Sequence, residues 1–175
     1  MCSQREATTV DHYLPKSEYP RLTVAPINLI PCCKDCNDIK DAFYPTKDSE
    51  EFFHPYFDDI SQKSWLSAKI EKTFPCSFTF FISRPAVWST LLTKRIEFHF
   101  DKLQLKKLYS TQAAVELSMI RFSLEELFIK GGAKAVKLFL EDAEQSRSHR
   151  NQNSWQAVFY RTAAESNWFC NGGFR

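Results

Sequence analysis

The sequence contains no run of about 18 to 20 consecutive apolar residues, so it encodes no helical membrane span. Its N-terminal stretch, MCSQREATTVDHYLP, is polar and lacks the apolar core of a secretory signal. A cytoplasmic location is therefore expected. No repeat and no low-complexity segment occurs. Net charge is nearly absent, with 23 Lys/Arg against 21 Asp/Glu, or +2. Against these absences stand 43% hydrophobic residues and 15% aromatics, 16 of them Phe, across 175 residues. That is ample material for a core, and it excludes wholesale disorder, a collagen and a coiled coil.

The charge is unevenly placed. Residues 1–60 hold 6 Lys/Arg and 11 Asp/Glu, a net of −5, whereas residues 61–175 hold 17 and 10, a net of +7. Such a split is compatible with ordinary solvated charge. It also suits a metal site followed by a surface for a polyanion. Of the six cysteines, Cys32, Cys33 and Cys36 crowd into five positions. Without a secretion signal, this clustering favours reduced thiols, some serving a metal, over a disulfide framework. Cys76 and Cys170 lie among Phe and Trp and are expected to be buried thiols.

The pattern divides near residue 60. Residues 7–12 and 27–31 read as short strands. A short helix follows through Asn37, Ile39, Lys40 and Phe43, with Asp35 as its expected cap. This strand–loop–strand–helix unit is too small to be held by burial alone and is expected to need a metal staple. Residues 46–60 form an acidic, aromatic connector. Strands are expected at 64–72 and 77–83. Beyond Pro85 helices follow: one paced by Leu105, Leu108, Tyr109, Gln112, Glu116, Ile120, Leu124 and Leu127, a break at Gly131-Gly132, a continuation, and a last helix capped at Asn153. The fold class is α+β. A small ββα module at 1–45 and a connector at 46–60 precede a mainly helical region at 61–175 with a short β element.

Chemistry concentrates in the first segment. Asp11-His12 closes a strand, Asn28 follows, and Cys33-x-x-Cys36 runs directly into Asn37. Phosphodiester hydrolysis needs a base that works near neutral pH, which suits histidine, and a hard cation on oxygen ligands. Asp11 and the Asn37 amide offer such oxygens beside His12.

The stretch DHYLPKSEYPRLTVAPINLIPCCKDCNDIK resembles the core of HNH endonucleases, whose fold is the ββα-metal motif. The resemblance covers about residues 2–43. It has Asn37 where many members have a final histidine, which makes it the His–Asn–Asn variant. Residues 44–175, with FFHPYF and WQAVFYR through WFCNGGF, look like the helical extension of some bacterial HNH proteins. The resemblance implies a metal-dependent endonuclease acting on DNA. It makes His12 the general base, Asp11 and Asn37 the ligands of Mg²⁺ or another divalent cation, and Asn28 the residue that holds the loop and orients His12. Asn28 also suits a plain turn. Lys40 suits a phosphate contact or a solvated surface, and His54 a packed structural role. Lys94, Arg95, Lys102, Lys106 and Lys107 are candidate nucleic-acid contacts or solvated helix faces.

HNH relatives that carry a structural Zn²⁺ have a second Cys-x-x-Cys shortly before the Asp-His. Here Cys2 stands alone in that place. The expectation is an incomplete zinc site of Cys2, Cys33 and Cys36, in a chain that starts inside the motif or has lost the metal. Two other readings remain open: a non-catalytic zinc-knuckle protein that binds nucleic acid, and a nuclease subunit of a bacterial defence or toxin system, active only with a partner such as an ATPase.

Overall fold

The computed structural model describes residues 1–175. The chain is α+β, with two two-stranded antiparallel sheets and helices that dominate the second half. It forms two compact units. One comprises Met1–Ile60 with Ala86–Leu105, the other Ser61–Pro85 with Lys106–Arg175.

In the first unit, β1 (Thr9–His12) pairs with β2 (Leu29–Cys32), setting Asp11 opposite Ile30 and His12 opposite Leu29. Helix α1 (Lys34–Lys40) starts at Cys33, not Asp35: the Cys33 sulfur accepts the amide of Cys36. Asp35 sits in the first turn, where its charge suits the helix dipole, and pairs with Arg5.

The segment 46–60 is an integral part of this unit, and so is α2 (Thr90–Lys102). Sequence pattern assigned one to a connector and the other to the helical region. Aromatic packing decides otherwise. Phe52 meets Phe43 at 5.8 Å and Phe98 at 5.3 Å between ring centroids, so one cluster joins α1's exit, the 46–60 segment and α2. Arg95 adds two hydrogen bonds to Asp58, at 2.8 and 3.1 Å, and one to the Phe52 carbonyl. The pairs that reach α2 lie some forty residues apart, so no local periodicity announces them.

His99 on α2 is buried in that cluster. Its Nδ1 accepts the Phe53 amide and its Nε2 donates to the Met1 carbonyl, which fixes the neutral tautomer. Burial pushes its pKa down from 6.5 to about 4. As pH falls, the unfolded chain takes up this proton first. Stability from this group is therefore complete above pH 6.5 and lost on the way to about 4. The loss should reach about 3 kcal/mol. Urea midpoints at pH 7 and pH 4.5 should show it, and His99→Gln should shrink the difference between the two pH values.

In the second unit, β3 (Leu66–Glu71) and β4 (Ser77–Ile82) form a hairpin. Its inward residues Phe78 and Phe80 are fully buried; Phe78 packs on Phe159 at 4.5 Å and Phe80 on Tyr109 at 5.8 Å. Helix α3 (Leu105–Ser148) buries Leu108, Tyr109, Ala113, Leu117 and Leu124. The expected pace of this helix drifts: Gln112 and Glu116 are only half-buried, and Ala113 and Leu117 fill the core. Gly132, at φ +62°, kinks α3 where the glycine pair was expected to break it.

Helix α4 (Trp155–Glu165) is capped by Ser154, whose hydroxyl accepts the Ala157 amide. Asn153 was the expected cap. Its side chain instead accepts the amides of Trp65 and Leu66 and donates to the Lys63 carbonyl, tying the start of β3 to the start of α4. Cys76 and Cys170 are buried, and burial raises the pKa of both thiols. No helix is long and apolar enough to cross a membrane.

Candidate functional site

Strand alternation sends Asp11 and His12 to opposite faces of β1. Asp11 is 4% exposed and faces α1, together with Thr9 two residues earlier. Helix α1 runs along that face. Asn37 donates from Nδ2 to Thr9 Oγ1 at 3.3 Å, and Lys40, one turn on, reaches Asp11. Asn37 and Asp11 thus share a face, with Asn37 over Thr9 rather than hydrogen-bonded to the carboxylate. Since Nδ2 makes the bond to Thr9, the Asn37 Oδ1 is its acceptor atom.

Lys40 corrects an expectation. Its ammonium is buried, 3.2 Å from Asp11 Oδ1, 3.0 Å from Oδ2 and 2.7 Å from the His12 carbonyl. It is not presented to solvent or to phosphate. The spacing that placed it one turn beyond Asn37 also put it on the inward face. Although Lys40 lies close to Oδ2, no hydrogen bond of good geometry reaches that oxygen, which is buried. Burial raises the Asp11 pKa, against the opposing pull of Lys40.

His12 is half-buried on the other face. Its Nε2 lies 3.0 Å from the Thr23 carbonyl. A carbonyl only accepts, so Nε2 carries the proton and Nδ1 of the neutral ring is the basic nitrogen. The loop that supplies Thr23 is fixed by buried Asn28. Its Oδ1 accepts the Leu14 amide at 2.7 Å, and its Nδ2 donates to the carbonyls of Leu14 and Leu22 at 3.0 and 3.1 Å. Asn28 therefore closes the loop at both ends and sets the peptide next to the one that holds His12. Neither Thr9 nor Thr23 stood out in the sequence. The period of two from Asp11 marks Thr9, whereas Thr23 acts through its backbone and leaves no side-chain signal.

The cysteines form a second cluster. The sulfurs of Cys2, Cys33 and Cys36 all lie within 4.8 Å of one another, and all three are buried. Cys2 and Cys33 stand 3.8 Å apart. A tetrahedral zinc with bonds of about 2.3 Å sets its sulfurs about 3.8 Å apart. A hydrogen bond between the Cys2 and Cys36 sulfurs pulls the Cys2 thiol well below its ordinary pKa and pushes Cys36 up. This group can hold a metal ion. Cys32 turns away, its sulfur against Thr9 Oγ1 and the Cys33 carbonyl. His54 is buried among Tyr13, Tyr56 and Phe57 and contacts the Ile27 carbonyl at 2.9 Å.

Of the candidate nucleic-acid contacts, Arg95 is committed to Asp58 and to the Phe53 ring. Lys102 stands over the Phe43 ring. Lys94, Lys106 and Lys107 are exposed.

Comparison with known proteins places one relative beside this geometry. The chain is 29% identical over 180 residues to protein ea31 of Escherichia phage lambda, an alignment that covers 95% of the chain. The chain spans 61% of that phage protein's length. No family model and no solved structure matches.

Proposed function

We propose that the chain is a metal-dependent endonuclease that hydrolyses phosphodiester bonds in DNA. The supporting observation is the tautomer of His12, locked by Thr23 on a loop that Asn28 closes, next in sequence to a buried carboxylate with an oxygen that no hydrogen bond satisfies. That oxygen and the Asn37 Oδ1 are hard donors on one face and suit Mg²⁺ or a similar divalent ion. When bound, such an ion would neutralise the charge that grows on the phosphate and on the leaving oxygen. His12 Nδ1 accepts the proton of the attacking water. The water oxygen bonds to phosphorus as the bond from phosphorus to the 3′ oxygen breaks, and the leaving oxygen takes a proton from solvent, giving a 3′ hydroxyl and a 5′ phosphate. Lys40 holds Asp11 and the His12 backbone in one place. The three-cysteine cluster takes Zn²⁺ and staples β2 and α1 to the N-terminal segment.

A second reading, a non-catalytic zinc-knuckle protein, draws on the Lys40–Asp11 pair, which already balances the carboxylate's charge. Nicking of supercoiled plasmid with Mg²⁺ or Mn²⁺ separates the two readings.

DNA would be gripped by the basic second unit. Residues 61–85 and 106–175 hold 14 Lys/Arg and 8 Asp/Glu, a net of +6. Phosphate contacts release counterions, so affinity should fall steeply with salt. Reversing Lys106 and Lys107 to Glu should weaken binding and flatten the salt slope by roughly two contacts' worth. Titrations at several salt concentrations check this, and an unchanged slope removes these lysines from the interface.

A further inference from the structure

The second unit holds a cleft of about 620 Å³ that no residue of the candidate sites described above lines. Its walls combine two aromatic rings, Phe74 and Trp168, two cations, Lys72 and Arg175, and two amides, Asn167 and Asn171. Phe74 projects from the turn between β3 and β4 and is 85% exposed. A ring that size left in water at a cleft wall, with a second ring half-exposed beside it, is a surface waiting for a flat apolar partner. Lys72 Nζ stands over the face of Trp168, 5.8 Å from the ring centroid. The Arg175 guanidinium stands over the Phe128 ring at 4.5 Å.

The cleft is shaped by its backbone. A Cβ on Gly173 would come within 2.5 Å of the Trp168 ring, so only glycine lets the chain lie flat against it. Gly172 beside it adopts φ +105°, a conformation that L side chains rarely take. Asn171 donates from Nδ2 to the Asn167 carbonyl at 2.8 Å, which turns its Oδ1 into an acceptor at the wall.

The geometry points to a site for an unpaired nucleotide within a single strand of nucleic acid. Its base stacks on the open Phe74 ring, with Trp168 and the Lys72 above it forming the neighbouring wall, and its two flanking phosphates meet Lys72 and Arg175. The volume falls in the range of sites for molecules of nucleotide size. Aromatic platforms alternating with cations are how single strands are held without sequence readout, because every base has a π-face and every linkage a charge. Two separate cations match a nucleotide inside a strand, which carries a phosphate on either side, and the unit's net charge of +6 has the sign that a strand requires. The inference uses no residue of the Asp11–His12 site and goes beyond the nuclease reading.

The test measures binding of a fluorescent single-stranded 12-mer to the full chain in a His12→Ala background, without added Mg²⁺ or Mn²⁺, so that nothing is cut. Phe74→Ala should weaken binding about ten- to a hundredfold. A strand of equal length and charge with abasic sites should lose a similar factor, and should bind Phe74→Ala no more weakly than it binds the parent. Lys72→Glu should weaken both strands alike. Phe74 is exposed, so its replacement leaves the core intact, and a matching thermal midpoint verifies this. Equal affinity for intact and abasic strands would overturn the proposal, as would an unchanged affinity in Phe74→Ala. Because binding is read without catalysis, failure here leaves the nuclease reading standing, and failure of that reading leaves this one.

Discussion

Replacing Cys36 by Ser, or stripping the protein with a strong chelator, is expected to release zinc and loosen the first unit. Cys36 is fully buried at the start of α1 and shares its cluster with Cys2 and Cys33. These three sulfurs connect the N-terminal segment to the β2–α1 junction, where the local elements are short, two four-residue strands and a seven-residue helix. A four-ligand structural zinc contributes on the order of 10 kcal/mol, and a site of three thiolates contributes less. Without the ion, buried thiols also remain with no metal to balance a thiolate. In protein loaded with one equivalent of Zn²⁺, the zinc retained should drop toward zero, in step with a lower thermal midpoint. Cys76→Ser, in the other unit, should leave zinc content unchanged. A wild-type chain with no zinc and no response to chelator would remove the staple.

His12→Ala is expected to slow metal-dependent strand cleavage by about 10² to 10⁴-fold, the usual share of a positioned general base. The substitution removes a half-buried ring whose hydrogen bond, at Nε2, goes to the Thr23 carbonyl. Fold and zinc content should therefore survive, and affinity for uncut DNA should change little. Asn28→Ala makes the complementary case. It opens three hydrogen bonds at the loop ends, so it should lower both stability and rate, and His12 should still be required for whatever activity remains. The single-turnover rate, measured with thermal melts and zinc content on the same samples, separates a lost base from a lost fold.

Local pattern made much of this architecture legible. Alternation and β-branched residues mark β1 and β2, and Pro75 separates the two strands of the later hairpin. Gly131-Gly132 marks the kink in α3. The spacing Asp11-His12, Asn28, Cys33-x-x-Cys36-Asn37 marked the candidate residues, whereas the fold sets Asp11 and Asn37 on one face of β1 and His12 on the other. What stayed hidden depends on distance along the chain. The 46–60 segment and α2 join the first unit through Phe43, Phe52, Phe98 and the Arg95–Asp58 pair. Within α2, Arg95 and Phe98 share a face at a spacing of three, but nothing periodic links them to Phe43, Phe52 or Asp58. Asn153 looked like a cap because its residue type suits one, yet its amide serves a strand some ninety residues away. Lys40 looked exposed because lysines usually are, and it is buried because Asp11 is there to pair with it. The cleft around Trp168 was missed for a related reason: its residues come from a turn and a distant helix end, and only the fold makes them neighbours.

The proposed activity requires Asp11, His12, Asn28 and Asn37 to act as one hydrolytic centre. The most direct measurement incubates supercoiled plasmid with the purified 175-residue chain in Mg²⁺, in Mn²⁺ and in EDTA, alongside His12→Ala prepared in the same way. The account predicts that the wild type converts plasmid to nicked or linear forms with 5′ phosphate ends only when the divalent ion is present, and that His12→Ala leaves it supercoiled. EDTA-sensitive cleavage by His12→Ala at the wild-type rate would contradict it.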